Sequence, residues 1–350
     1  MSADHEARDL RIMGTPGVPF QRDLRDEKVV VVGGAGLIGS HVVERLLDEP
    51  VAEIVVYDNF TRGRMENLEL ALPDERVRLH QAGGELLHTD VLADAFGGAN
   101  TVFHLAALWL LHCHEYPRSA FEVNVRGTFN VMEACVAADV ERLVSSSSAS
   151  VYGNAMETPM TEAHPFNNRT FYGATKIAGE AMLEAFHHRY GLSYASLRYM
   201  NVYGARQDYR GTYIAVIMKM LDRLDEGLPP IIEGTGDQSF DFIYVSDVAE
   251  ANLCAAKSSA SGPYNVGTGV KTSIRELAEH LLELTGSDLQ IEYVPQRLAF
   301  VDHRVGSTEL AREELGFGAT IELREGLRRV IEWRAAHIEE LAARQAQGAR

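Results

Sequence analysis

The stretch that decides the fold is Val29-Val30-Val31-Val32-Gly33-Gly34-Ala35-Gly36-Leu37-Ile38-Gly39-Ser40-His41. Four β-branched residues read as a buried strand. Three glycines follow at three-residue spacing, and an apolar helix pattern opens at once. A turn that tight, free of side chains, lets a helix N-terminus approach a pyrophosphate. The stretch therefore predicts a dinucleotide site. The second strand, Glu53-Ile54-Val55-Val56-Tyr57, ends at Asp58, about twenty residues beyond the glycines. A carboxylate there accepts the ribose hydroxyls of NAD and repels a 2′-phosphate. Arg62 and Arg64 lie just beyond and leave NADP as an alternative. A plain turn through Asp58-Asn59 is the other.

Strands are expected at 28–33, 53–57, 77–81, 101–105, 142–146 and 194–198. They alternate with helices at 37–48, 90–96, 117–138 and 172–190. This alternation predicts an α/β fold: a Rossmann-type doubly wound parallel sheet. After about residue 200 the rhythm loosens. Helices near 213–226, 246–257 and 273–284 mix with short strands near 230–232, 240–244 and 289–293, before a last helix at about 322–345. The expected organisation is an N-terminal extension over 1–27, an NAD-binding domain over 28–200, and a smaller C-terminal α/β substrate lobe over 201–350. The lobe is free to send segments back to the first domain.

The 350 residues carry a net charge of −17, which argues against a nucleic-acid partner. No apolar run approaches the ~20 residues of a membrane span. Asp4, His5 and Glu6 do not open a signal peptide. Cys113, Cys135 and Cys254 are scattered and odd in number, so no disulfide framework is implied and a cytoplasmic setting is expected. His112-Cys113-His114 lacks a carboxylate partner in pattern, so no metal is expected. His104 reads equally well as a packed core histidine and is given no chemistry.

Two segments carry chemistry. Tyr172-Gly173-Ala174-Thr175-Lys176 opens an amphipathic helix, and positions four apart share a face. A free tyrosine has a pKa near ~10. A neighbouring ammonium and an oxidised nicotinamide would favour the phenolate and make it a base for a sugar hydroxyl. Ser145-Ser146-Ser147-Ser148-Ala149-Ser150 runs off the end of the fifth strand and supplies hydroxyls that can bond the reacting oxygen.

With these residues the chain resembles the extended short-chain dehydrogenase/reductase family, in its NAD-dependent epimerase/dehydratase branch. The likeness runs from about Lys28 to about Trp333 and is nearest to sugar-nucleotide 4-epimerases of the UDP-glucose type. It also rests on His104 through Ala107, Asn124 through Thr128, Arg198 through Gly204, and Asp241 through Val248. The resemblance implies Tyr172 as base, Lys176 as its partner on the nicotinamide ribose, and Ser148 as the catalytic hydroxyl. It implies cofactor contacts from Gly33, Gly36, Leu37, Ile38 and Gly39 around the pyrophosphate. Asp58, Asn59, Arg62, Glu85 and Leu86 would lie around the adenosine. Leu105, Ala106, Ala107, Asn124 and Tyr199 would lie along the strand ends. Substrate contacts would come from Ser148, Ser150, Asn201, Tyr213, Arg297 and Arg304. Relatives pair the helices near 117–138 and 172–190 across a dimer, so a homodimer is expected.

The resemblance also bears on the reaction. Dehydratases of the branch carry an Asp-Glu pair just after the catalytic hydroxyl, and decarboxylases keep a Glu at the second of those positions. Here they are Ala149 and Ser150. Without a second acid or base, a 4-keto sugar can only turn over and take its hydride back, which is 4-epimerisation. The substrate expected is a UDP-hexose, UDP-hexosamine or UDP-hexuronate. The alternatives are another oxidoreductase, dehydratase or decarboxylase of the family, or a non-catalytic dinucleotide sensor. Most relatives carry a phosphate-pairing arginine where this chain has Phe240. Arg304 stands where the family gates the sugar pocket and could meet a carboxylate or an acetamido oxygen.

Overall fold

A computed structural model describes residues 22–207, 216–295 and 303–337. The valine-rich segment forms β1 (Lys28–Val32) and leads into α1 (Leu37–Leu46). Then come β2 (Glu53–Tyr57), β3 (Val77–Leu79), α2 (Thr89–Phe96) and β4 (Thr101–His104). Next are α3 (Leu110–Glu115), α4 (Pro117–Ala120), a π-helical stretch Phe121–Gly127, and α5 (Thr128–Ala137). β5 (Arg142–Ser148), α6 (Phe171–Tyr190) and β6 (Tyr194–Tyr199) complete the regular part.

The remaining segments are shorter. They are β7 (Asn201–Tyr203), α7 (Val216–Asp225), β8 (Ile231–Glu233), β9 (Ser239–Phe240), β10 (Phe242–Tyr244) and α8 (Val245–Lys257). β11 (Gly262–Val266), β12 (Thr272–Ser273), α9 (Ile274–Thr285), β13 (Glu292–Val294), β14 (His303–Arg304) and α10 (Leu323–Ala336) follow.

Seven parallel strands form one sheet in the order β11-β6-β5-β4-β1-β2-β3. The sheet is buried on both sides, and strand alternation divides the core accordingly. Val29, Val31, Ile54, Val56 and Phe103 face α1 and α8. Val30, Val32, Val55, Val102 and Leu143 face α5 and α6. Each buried Val or Leu contributes about 1.5–3 kcal/mol. A third core joins α7, α9 and α10 through Ile217, Met220, Leu277, Leu281, Leu327 and Val330.

Chain direction from the centre of the sheet reverses between β1 and β4, and doubly wound sheets bind ligands outside that switch point. Three differences from expectation follow from non-local pairing. β11 was not anticipated, and it extends the sheet by pairing Gly262–Val266 with Ala195–Tyr199. The single strand expected at 240–244 is two, broken at Asp241, whose carboxylate accepts hydrogen bonds from the N–H groups of Thr268 and Gly269. The helix expected at 117–138 contains the π turn that carries Asn124. Arg22–Glu27 pack onto the sheet domain: Leu24 is fully buried, and Arg22 pairs with Glu27 and Glu141. The last helix is described to Ala336, and its expected continuation lies outside the described residues.

Candidate active site

The glycine turn folds as its sequence requires. Gly33 has φ +81°, a left-handed value that disfavours a side chain, and a Cβ there would lie 2.7 Å from the Ala106 N. A Cβ on Gly39 would collide with the Gly33 carbonyl. Backbone therefore comes close to backbone, and α1 starts at Leu37 with its first N–H groups lacking intrahelical partners. At the end of β2 the Asp58 carboxylate accepts from Ala35 N (2.9 Å) and Phe60 N (2.8 Å). Burial pushes its pKa up, and these two hydrogen bonds oppose the rise. Two of its four lone-pair directions remain for ribose hydroxyls.

These groups surround a cleft of two adjoining cavities, of about 350 and 370 Å³. Gly33, Gly36, Asp58, Asn59, Arg62 and Glu85 line the first, together with Leu86 and Leu105–Ala107. Leu37, Ile38, Gly39, Tyr172, Lys176 and Tyr199 line the second. Glu85 accepts from Asn59 Nδ2 at 2.8 Å. The Arg62 guanidinium stacks 3.6 Å over Trp109, at the mouth shared by the two cavities. Asn124 does not line the cleft. It clamps the loop beneath it, accepting from Leu108 N (2.7 Å) and donating to Leu108 O (2.9 Å). His104 is a core residue on Thr128 (2.9 Å), and burial pushes its pKa down to about 3.

The reacting groups meet at the end of β5. Thr170 caps α6 by accepting from Gly173 N (3.0 Å), which fixes the first turn that presents Tyr172. The Ser148 hydroxyl stands near enough to the Tyr172 phenol to favour its ionised form. It also donates to Ser150 Oγ and accepts from Ser150 N, each at 3.1 Å. Lys176 donates to Ser146 O (2.8 Å) and Ser146 Oγ (3.3 Å), leaving one N–H of three for a ligand.

Lys176 shares the wall of the cleft with the phenol. Its Nζ lies 5.8 Å from the ring centroid and is committed to β5. Burial pushes Tyr172 up to about 12; the nearby Ser148 hydroxyl and the Arg304 charge act in the opposite direction. Burial also pushes Lys176 down to about 8. That depressed pKa means a stability cost at neutral pH. Below about 8 the folded chain carries a poorly solvated ammonium. Between about 8 and 10.5 the unfolded chain binds a proton that the folded chain has lost, so stability rises with pH there. Lys176→Met is therefore expected to raise the unfolding free energy of NAD-stripped protein by about 1–3 kcal/mol at pH 7. Denaturant titration would show the advantage shrinking above pH 8, and a variant less stable than wild type at pH 7 would refute this account.

A third cavity of about 790 Å³ opens beside Ser150. Ser150, Asn201, Phe240 and Arg304, all singled out in the sequence, line it, and so do Arg169, Lys219 and Ile232, which sequence reasoning missed. Lys219 sits on the outer face of an amphipathic helix, and nothing local marks it as a cavity residue. Tyr213 and Arg297 lie outside the described residues.

Glu180, one turn beyond Lys176 on α6, was also missed. It accepts from Ser147 Oγ (2.5 Å) and pairs with Arg198 (2.6 Å), tying β5, β6 and α6 together behind the site. The i, i+4 spacing from Lys176 was the available signal.

The model of the NAD dependent epimerase/dehydratase family matches residues 29–267. The chain belongs to this family. Its cofactor is NAD, and the glycine turn, the Asp58 carboxylate and the free Lys176 N–H suit it. A UDP-glucose 4-epimerase of Mycolicibacterium smegmatis is 33% identical over 315 residues, covering 87% of this chain and 98% of that protein. The solved UDP-N-acetylglucosamine 4-epimerase of Methanobrevibacter ruminantium M1, in complex with UDP-N-acetylmuramic acid, superposes with a TM-score of 0.84 at 33% identity. The match covers 89% of this chain and 99% of that one. The UDP-glucose 4-epimerase of Thermus thermophilus, in complex with NAD, gives 0.78 at 34% identity, covering 88% and 99%. Among the described residues, no helix is long and apolar enough to cross a membrane.

Proposed function

We propose that this chain interconverts the C4 epimers of a UDP-sugar, with Tyr172, Ser148 and Lys176 as its catalytic residues. The observation that carries this reading is the Tyr172 phenol, which lines the same cleft as Lys176 and the glycine turn, with the Ser148 hydroxyl close by. NAD bound in that cleft supplies a reversible hydride acceptor for the sugar carbon. The chain's own groups handle the proton and the geometry. Tyr172 Oη takes the C4 hydroxyl proton and later returns it. Ser148 Oγ holds the reacting oxygen in place. Lys176 orients the ribose through its remaining N–H and is itself anchored on β5. The backbone N–H groups opening α1 hold the pyrophosphate, and Asp58 holds the adenosine ribose.

Ala149 and Ser150 follow Ser148 and contribute no carboxylate. At these two positions the 4-keto sugar therefore meets no acid or base that would eliminate water or assist decarboxylation. Its course is to rotate and be reduced on its other face. Asn201, Lys219 and Arg169 line the cavity that would receive the nucleotide diphosphate.

Phe121, Phe129 and Phe171 are exposed on the helical segment 117–137 and on α6, which supports a homodimer through these helices. Light scattering at twice the chain mass is the expected result, and a monomer at micromolar concentration would refute it. The three free cysteines support a cytoplasmic location.

The test of the reaction is incubation with UDP-glucose, UDP-N-acetylglucosamine and UDP-glucuronic acid, followed by chromatography. The expected product is the C4 epimer of at least one, without accumulation of NADH. Stoichiometric NADH with a released keto sugar would overturn the assignment.

A further inference from the structure

Arg304 sits on β14, directly opposite Phe240 of β9 in a parallel pair, so the two side chains leave the ladder on the same face. Both line the 790 Å³ cavity. The strand position fixes the backbone firmly, since Arg304 O accepts from Asp241 N at 3.0 Å. The guanidinium has no such anchor. Its Nε is buried and makes no hydrogen bond, and no carboxylate among the described residues pairs with it. It lines the same cavity as Ser150, which accepts from Ser148 Oγ at 3.1 Å at the end of β5, and its charge acts on the Tyr172 phenol. A buried cation without a counter-charge is costly, and proteins keep such groups paired or hold them for a ligand. Arginine donates in a planar fork that matches a carboxylate.

We infer that Arg304 is the subsite for a carboxylate carried by the sugar ring, so that the preferred substrate is an acidic UDP-sugar. This rests on the reading of Tyr172 as the base at the reacting carbon. Two sources present the same chemistry: the C6 carboxylate of a hexuronate and an acidic ether substituent such as that of muramic acid. A guanidinium placed to hold the diphosphate instead, in the stead of the arginine that Phe240 replaces, would act equally on every UDP ligand. Sharing the cavity wall with Ser150, the bonded neighbour of Ser148, favours the sugar over the phosphates as its partner.

The experiment compares wild type with Arg304→Gln and Arg304→Lys as NAD-loaded proteins. Affinities for UDP, UDP-glucose, UDP-glucuronic acid and UDP-N-acetylmuramic acid are measured by calorimetry, and turnover of the three sugars by chromatography. Wild type is expected to favour one acidic sugar over UDP-glucose. In Arg304→Gln the ratio of acidic to neutral affinity should fall about 10- to 100-fold, and Arg304→Lys should recover part of it. The acidic sugar that loses affinity identifies the source of the carboxylate. An unchanged ratio overturns the inference, as does an equal loss for all four ligands including UDP. If the affinity ratio shifts as expected while no sugar is epimerised, the reaction assigned above fails and the subsite stands. If epimerisation proceeds with no Arg304-dependent preference, the reaction stands and the subsite fails. Circular dichroism and NAD content matching wild type confirm that either variant folds.

Discussion

Tyr172→Phe is expected to lower kcat about a thousandfold while leaving NAD content and UDP affinity close to wild type. The substitution removes one oxygen from the wall of the cleft and keeps the ring that packs there. No neighbour can replace it as a base. Ser148 is a hydroxyl already shared with Ser150, and the Lys176 ammonium is bound to Ser146. The nearby Cys113 thiol is buried and pushed up to about 11, so it is not a thiolate at neutral pH. Single-turnover measurement of 4-keto sugar formation should show the loss in the first chemical step. A variant within tenfold of wild type would remove Tyr172 from the reaction and with it the chemistry proposed here.

Glu180→Ala is expected to cost about 3–5 kcal/mol of stability. The Arg198 and Glu180 side chains are only 3% and 10% exposed, and three hydrogen bonds from Arg198 reach the carboxylate at 2.6, 2.9 and 3.2 Å. Removing the acid leaves a guanidinium inside the protein with only Tyr152 and the Glu162 carbonyl as partners. Ser147 loses its acceptor as well. The expected reading is a fall of several degrees in the thermal midpoint. Glu180→Gln, which keeps the shape and an acceptor oxygen, should lose less. A change below about 1 kcal/mol for the alanine variant would mean that water enters and solvates Arg198.

Much of the site was readable because its chemistry is local. The approach of Gly33 to Ala106 needs a residue without Cβ, and that need is written in a single tripeptide spacing. Asp58 follows β2, and the parallel pairing of β2 with β1, its neighbour in sequence order, brings the carboxylate to Ala35 N. Tyr172 and Lys176 are one helical turn apart, so their common face follows from the helix alone. How the two side chains act on one another does not follow from the helix alone. Which atoms a lysine Nζ reaches depends on what packs across from it, and here that is Ser146 on β5, thirty positions away in sequence. Arg304 illustrates the same division. Its residue type suggested an anion, but only the β9–β14 register places it beside Phe240 and near the phenol. Glu180 and Lys219 were missed because their partners, Arg198 and the cavity, come from other elements.

The sequence by itself determined the parallel sheet, its glycine turn, the carboxylate after β2 and the Tyr172–Lys176 face. Each depends on the period of a strand or helix, or on the absence of a side chain over a few residues. The tertiary structure alone decided that β11 extends the sheet and that Glu180 holds β5 to β6. It also set Arg304 opposite Phe240 on the wall of the larger cavity. These are pairings between residues far apart in the chain, and no local pattern encodes the distance between two side chains that meet only after the sheet has formed.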